Sequence, residues 1–189
     1  MEISKLGIDG AWLASSQVWA DDRGNFREWF KRSEIRSATG IDFAVAQANL
    51  SQSRRGVVRG IHYSLAPLGQ AKWVTCVTGA IKDVVVDIRP GSTNFGKYIA
   101  IDLEGGDGQV VLVGAGLGHG FVSMKDDSTV AYLINSEFSP SEEFEINPLD
   151  PTIGINWGYS DNELVLSSKD LAAPGLNERL RLNQLPIYN

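Results

Sequence analysis

A chain of 189 residues is long enough to bury a full core and short enough to make a single domain over 1–189 the expected organisation. Its 43% hydrophobic content, 20 glycines, net charge of −6 and pI of about 4.9 suit a turn-rich β protein and argue against sequence-independent nucleic-acid binding. The single cysteine, Cys76, excludes an intramolecular disulfide framework; Met1–Lys5 carries no signal pattern and no apolar run is membrane-length, so a reducing cytoplasm is the expected compartment.

In chain order, Leu6–Val18 reads as one or two short strands, and Asp21-Asp22-Arg23-Gly24 as a turn. Asn25–Phe30 is an extended aromatic segment. Ser33–Gly40 has the marks of a short helix, with Ser33 as N-cap and Gly40 as stop. Alternation then predicts strands over Phe43–Ser51, Val57–Tyr63, Ala71–Thr78 and Ile81–Ile88. Further strands are expected over Tyr98–Leu103, Gln109–Val113, Gly120–Met124 and Thr129–Asn135, separated by Gly- and Asp-rich turns. Many short strands at regular spacing predict an all-β sandwich or barrel. From Asp150 the chain is Pro- and Gly-rich, with one modest helix near Leu176–Leu182.

The chain has only two histidines, His62 and His119. Histidine titrates near neutral pH and is the natural proton carrier. Strict alternation places Val58, Gly60 and His62 on one face of their strand and Val57, Arg59, Ile61 and Tyr63 on the other. Around this stretch lie Gln47, Asn49, Lys72, Tyr132 and the Lys169-Asp170 pair. Each has an ordinary structural explanation: solvent-facing amides, a surface arginine, a snorkelling lysine, a turn histidine, a core tyrosine, a helix cap. Taken singly, those explanations are the better bet.

Taken together, the blocks resemble the dTDP-4-dehydrorhamnose 3,5-epimerase family of deoxysugar biosynthesis. The blocks run in order through Asp22-Arg23-Gly24 with Phe26 and Glu28, Gln47-Ala48-Asn49-Leu50-Ser51, and Val58-Arg59-Gly60-Ile61-His62-Tyr63. They continue with Gln70-Ala71-Lys72, Asp87-Ile88-Arg89, Gly118-His119-Gly120-Phe121, Tyr132, Phe138 with Glu143, Asp150-Pro151, and Leu166-Ser167-Ser168-Lys169-Asp170.

The resemblance implies a cupin-type jelly-roll β-barrel with short peripheral helices, a homodimer, and epimerisation of dTDP-4-keto-6-deoxyglucose at C3 and C5 with no cofactor. Both hydrogens flank the C4 ketone and are acidic. Inversion needs a base on one face, a group to hold the enolate oxygen, and an acid on the other face. By resemblance His62 is the base and Asp170 orients it. Lys72 holds the oxyanion, and Tyr132 returns a proton. Arg23, Arg59 and Lys169 would meet the diphosphate, making a local positive pocket on an acidic protein. Gln47, Asn49 and Glu28 would hydrogen-bond sugar or base. Phe26 belongs to the same N-terminal block. Phe138 would stack on thymine with Glu143 nearby, and His119 would contact substrate. The Arg23–Glu28 segment would reach into the partner subunit's site.

Three positions depart from the family pattern: Ser64-Leu65 after His-Tyr, Gly114-Ala115-Gly116-Leu117 before His119, and Phe138 where tyrosine is common. They leave a single-centre 3- or 5-epimerase as the alternative. A metal-dependent cupin would need a His-x-His pair, which Tyr63-Ser64 after His62 does not provide. A non-catalytic sugar-nucleotide binder would not need the base, acid and oxyanion positions together.

Overall fold

The computed structural model describes residues 1–67 and 69–188. Its frame is two facing antiparallel sheets. The six-stranded sheet runs in the order β1 (Glu2–Lys5), β2 (Ala11–Ser15), β10 (Gln109–Val113), β7 (Lys72–Thr78), β12 (Ser128–Ile134), β5 (Gln47–Ser53). The five-stranded sheet runs β13 (Glu143–Glu145), β6 (Val58–Ser64), β11 (Leu117–Ser123), β8 (Ala80–Asp87), β9 (Tyr98–Glu104). This is an all-β sandwich, as the strand pattern predicts, and the cupin-like jelly roll that the resemblance implies. A separate ribbon pairs β3 (Val18–Asp21) with β4 (Gly24–Arg27).

The alternation of each strand sorts its side chains into three apolar layers. Between the sheets lie Val74, Cys76, Val85, Val111, Phe121 and Val130. Outside the six-stranded sheet, Trp73, Leu112 and Trp12 are covered by Phe43 and by Ile35 of helix α1 (Arg32–Thr39). Outside the five-stranded sheet, Val58, Ile61, Tyr63 and Val84 are covered by Ile146, Trp157 and Leu176 of the C-terminal segment. Helices α2 (Ser168–Leu171) and α3 (Leu176–Arg181) lie in that segment. No helix among the described residues is long and apolar enough to cross a membrane.

Two local expectations change. Helix α1 begins one residue before Ser33, with Lys31 at the N-cap position and no side-chain cap; Gly40 does close it, at φ 78°. The face assignment along β6 also fails after Arg59. Phe121 pairs Arg59 but His119 pairs His62, so Gly60 and Ile61 together oppose the single residue Gly120. This bulge adds one residue to β6 and inverts its alternation. Val58, Ile61 and Tyr63 therefore share the outer core, while Arg59 and His62 turn to the inner side together. Glycine is required at the bulge: Gly60 has φ 137°, and a Cβ there would lie 2.5 Å from Gly120 Cα.

Candidate active site

At one end the space between the sheets opens into a cavity of about 280 Å³. The six-stranded sheet contributes Lys72 from β7, Tyr132 from β12, and Gln47 and Asn49 from β5. The opposite wall holds His62 from β6 and Glu143 and Glu145 from β13, with Lys169 of α2 and Phe138 at the mouth.

His62 Nε2 lies 2.9 Å from Asp170 Oδ1, leaving Nδ1 as the second ring nitrogen. The His62 side chain is 42% exposed and that of Asp170 only 6%. Burial pushes the Asp170 carboxyl up, but hydrogen bonds with His62 and the Ser167 hydroxyl and the charges of His62 and Lys169 outweigh it and hold the carboxyl below its usual range. Asp170 is aimed by its own helix end: Ser167 caps α2, its Oγ accepting from Asp170 N–H at 3.0 Å.

Lys72 is buried, and the one described hydrogen bond of its ammonium is a long one, 3.4 Å to His62 O. Burial lowers its pKa, opposed by the charges of Glu143 and Asp83. Burial likewise raises the Tyr132 phenol, with Arg59 opposing and Glu143 adding, so the phenol keeps its proton at neutral pH. Glu143 Oε1 accepts from Gln70 Nε2 at 3.0 Å. Gln47 donates to Asn49 Oδ1 at 2.7 Å and accepts from Phe138 N–H at 3.0 Å, tying β5 to the loop that carries the exposed Phe138 ring.

Other expected residues stand apart from the cavity lining. Arg59 extends toward β5, donating to Ser53 Oγ at 3.0 Å. His119 is buried, with Nε2 at 2.8 Å from Asp83 Oδ2. Arg23, Phe26 and Glu28 lie on or beside the β3–β4 ribbon. Arg23 pairs with Asp21, Glu28 pairs with Lys31 at 2.9 Å, and Phe26 is 66% exposed. The expected positive pocket is instead balanced within one chain, because Glu143 and Glu145 line it beside Lys72 and Lys169. Leu65, Ala115 and Gly116, from two of the departing loops, meet at a different hollow beside Leu185 and Pro186. Phe138 alone of the three departures borders the site.

Sequence reasoning missed Glu145. It sits opposite His62 in the β13–β6 register, and its carboxylate lies 3.0 Å from Lys169 Nζ. The alternating triplet Glu143-Phe144-Glu145 was the available signal, but three residues are too few to stand out as a strand. Among the described residues, no group of three or more His, Cys, Asp or Glu side chains is arranged to hold a metal ion.

The model of the dTDP-4-dehydrorhamnose 3,5-epimerase family matches residues 5–178. The chain belongs to this family. Among its relatives, the dTDP-4-dehydrorhamnose 3,5-epimerase of Streptomyces griseus is 45% identical, over 97% of this chain and 90% of the relative. A crystal structure of NovW, a 4-keto-6-deoxy sugar epimerase of the novobiocin cluster of Streptomyces spheroides, superposes with a TM-score of 0.96 at 41% identity. That match covers 100% of this chain and 94% of NovW. ChmJ, a 3'-monoepimerase of Streptomyces bikiniensis solved with dTDP-quinovose, gives a TM-score of 0.91 at 44% identity, over 97% of this chain and 92% of ChmJ. These epimerases are isomerase-type enzymes, and the family therefore contains both two-centre and one-centre members at nearly equal distance from this chain.

Proposed function

We propose that this chain epimerises dTDP-4-keto-6-deoxyglucose at C3 and C5, giving dTDP-4-keto-L-rhamnose. One observation carries the reading: His62 and Tyr132 stand on opposite walls of one cavity, on different sheets, with buried Lys72 on β7, the strand next to that of Tyr132. A sugar ring between those walls offers one face to a base and the other to an acid. His62 takes the proton beside the C4 ketone, and the electron pair moves to O4. Lys72 opposes the charge that appears there, and Tyr132 delivers its phenolic proton to the opposite face of the same carbon. Solvent then resets both groups, so no electrons are gained or lost.

A cavity of about 280 Å³ suits the sugar better than the whole nucleotide sugar. The nucleotide then lies along the mouth, where Phe138 offers a face for the thymine and Lys169 offers charge, while Arg59, held toward β5 by Ser53, would have to swing away from it to meet the diphosphate. Gln47 and Asn49 serve the sugar side. Because Glu143 and Glu145 balance the cavity's lysines, a diphosphate needs further cations. The β3–β4 ribbon, with exposed Trp19 and Phe26 and with Arg23 at its turn, is the element to supply them to a second copy of the chain. The working form in this reading is a cytoplasmic homodimer of 1–189 units that share their sites.

The single-centre 3-epimerase is the second reading, favoured by the 44% identity to a 3'-monoepimerase. Incubation with the 4-keto substrate in heavy water, read by NMR, separates the two. Deuterium at C3 and C5 is the expected result, whereas deuterium at C3 alone makes the chain a monoepimerase. Exchange at neither carbon overturns both.

A further inference from the structure

Lys169 and Glu145 both line the cavity, and each has more than one use for the other's charge. The Glu145 side chain is 16% exposed and Lys169 is 67% exposed. Glu145 Oε2 is 3.0 Å from Lys169 Nζ, while Glu145 Oε1 is 3.8 Å from Arg179 NH2. Arg179 cannot leave. It is buried, its Nε donates to Glu145 O at 2.9 Å, its NH1 donates to Gln184 Oε1 at 2.6 Å, and its guanidinium lies over Phe144. Glu145 thus has one fixed cation behind it and one mobile cation in front.

We infer that Glu145 is a positioning residue that holds Lys169 at the mouth in the free enzyme and competes with the ligand's diphosphate for it. This rests on the nucleotide-sugar reading of the cavity and gives Glu145 a role beyond the charge balance counted there. An exposed ion pair is weak, so Lys169 can turn to an arriving anion at small cost. Glu145 keeps Arg179 when that happens, so no carboxylate is stranded without a cation. The turn need not disturb the neighbouring catalytic pair. Asp170, the next residue, is held separately by the Ser167 cap and by His62. Glu145 therefore sets how much of Lys169's charge a ligand receives, leaving the proton-transfer geometry in place.

The test is calorimetric binding of dTDP to wild type, Glu145→Gln, Lys169→Ala and the double variant, each checked for folding by thermal unfolding. Glu145→Gln keeps the side-chain shape and removes the competitor, so dTDP should bind about 2- to 5-fold more tightly. The gain should vanish in the Lys169→Ala background. Glu145→Asp, with a retracted carboxylate, should shift affinity in the same direction by less and serves if the Gln variant does not fold. Unchanged or weaker binding in Glu145→Gln overturns the competition. An equal gain without Lys169 also overturns it, because the effect would then be a general loss of negative charge. Failure of the wild type to bind dTDP overturns the nucleotide-sugar reading itself, and this inference with it.

Discussion

Both histidines of this chain end on an aspartate oxygen, His62 on Asp170 at 2.9 Å and His119 on Asp83 at 2.8 Å. They are direct partners on neighbouring strands β6 and β11. What separates them is access. The His62 side chain is 42% exposed and borders the cavity, whereas that of His119 is 10% exposed and its aspartate is fully buried. In the proposed mechanism the same two residue types, one strand apart, serve as a proton carrier where a ring nitrogen meets an open space and as a strut where it does not. Asp83 also has an unpartnered buried Oδ1, and its charge acts on Lys72 through space. The sealed pair thus bears on the site by its field.

The sharpest way to break this comparison is to remove each pair in turn. His62→Asn should lower kcat by about 10²- to 10⁴-fold, the usual worth of a general base, with little change in Tm. Near-normal turnover in a folded variant would move the base elsewhere. Asp83→Ala should act mainly on stability. Breaking a buried pair costs about 3–5 kcal/mol, or roughly 6–20 °C in Tm for a chain of this size. Loss of exchange at unchanged Tm would give the buried pair a chemical role.

Lys72→Met tests what the site costs the fold. Folding lowers the lysine's pKa, so its charged form is destabilised most fully below that lowered value. Methionine fills similar space without charge, and the variant should gain roughly 1–4 kcal/mol while losing turnover. The gain should be full below the lowered folded-state pKa, shrink as pH rises from that value toward the ordinary lysine value, and be gone above it. A lower Tm at neutral pH would mean that Glu143 and Asp83 more than offset the burial. The smallest effect is expected from Ser167→Ala, which removes the cap that aims Asp170. A loss of about 1 kcal/mol in stability and a few-fold in kcat should follow, with KM unchanged. A rise in KM alone would detach the cap from the catalytic pair.

Much of this was legible in the residues. Period-two alternation marked the long strands because each buries one or both faces against a full apolar layer. Gly40 marked the end of α1 because a left-handed residue must follow the last turn. The face of Arg59 was not legible: alternation assumes a regular ladder, and the bulge at Gly60-Ile61 exists only because β11 brings Gly120 alongside. Nor was the partition of the histidines: His119, between Gly118 and Gly120, reads as a turn residue just before a strand, and depth is a property of the assembled sheets. The pairing of Lys169 with Glu145 joins two short elements, each below the length at which periodicity speaks.

The layer that the C-terminal segment lays over the five-stranded sheet has a consequence in time. Asp170 lies 108 positions after His62. During synthesis at about 5–20 residues per second, that stretch takes roughly 5–20 s to emerge. For that interval His62 lacks the Asp170 carboxylate, and Val58, Ile61 and Tyr63 gain their cover only stepwise, from Ile146, then Trp157, and from Leu176 last of all. The strands that carry His62 therefore exist as a sticky half-structure before the His62–Asp170 pair does. Chains stalled or cleaved in this window would present an apolar sheet face to the cell and no dyad to a substrate, so capture by chaperones and onset of activity should both be timed by the arrival of the same segment.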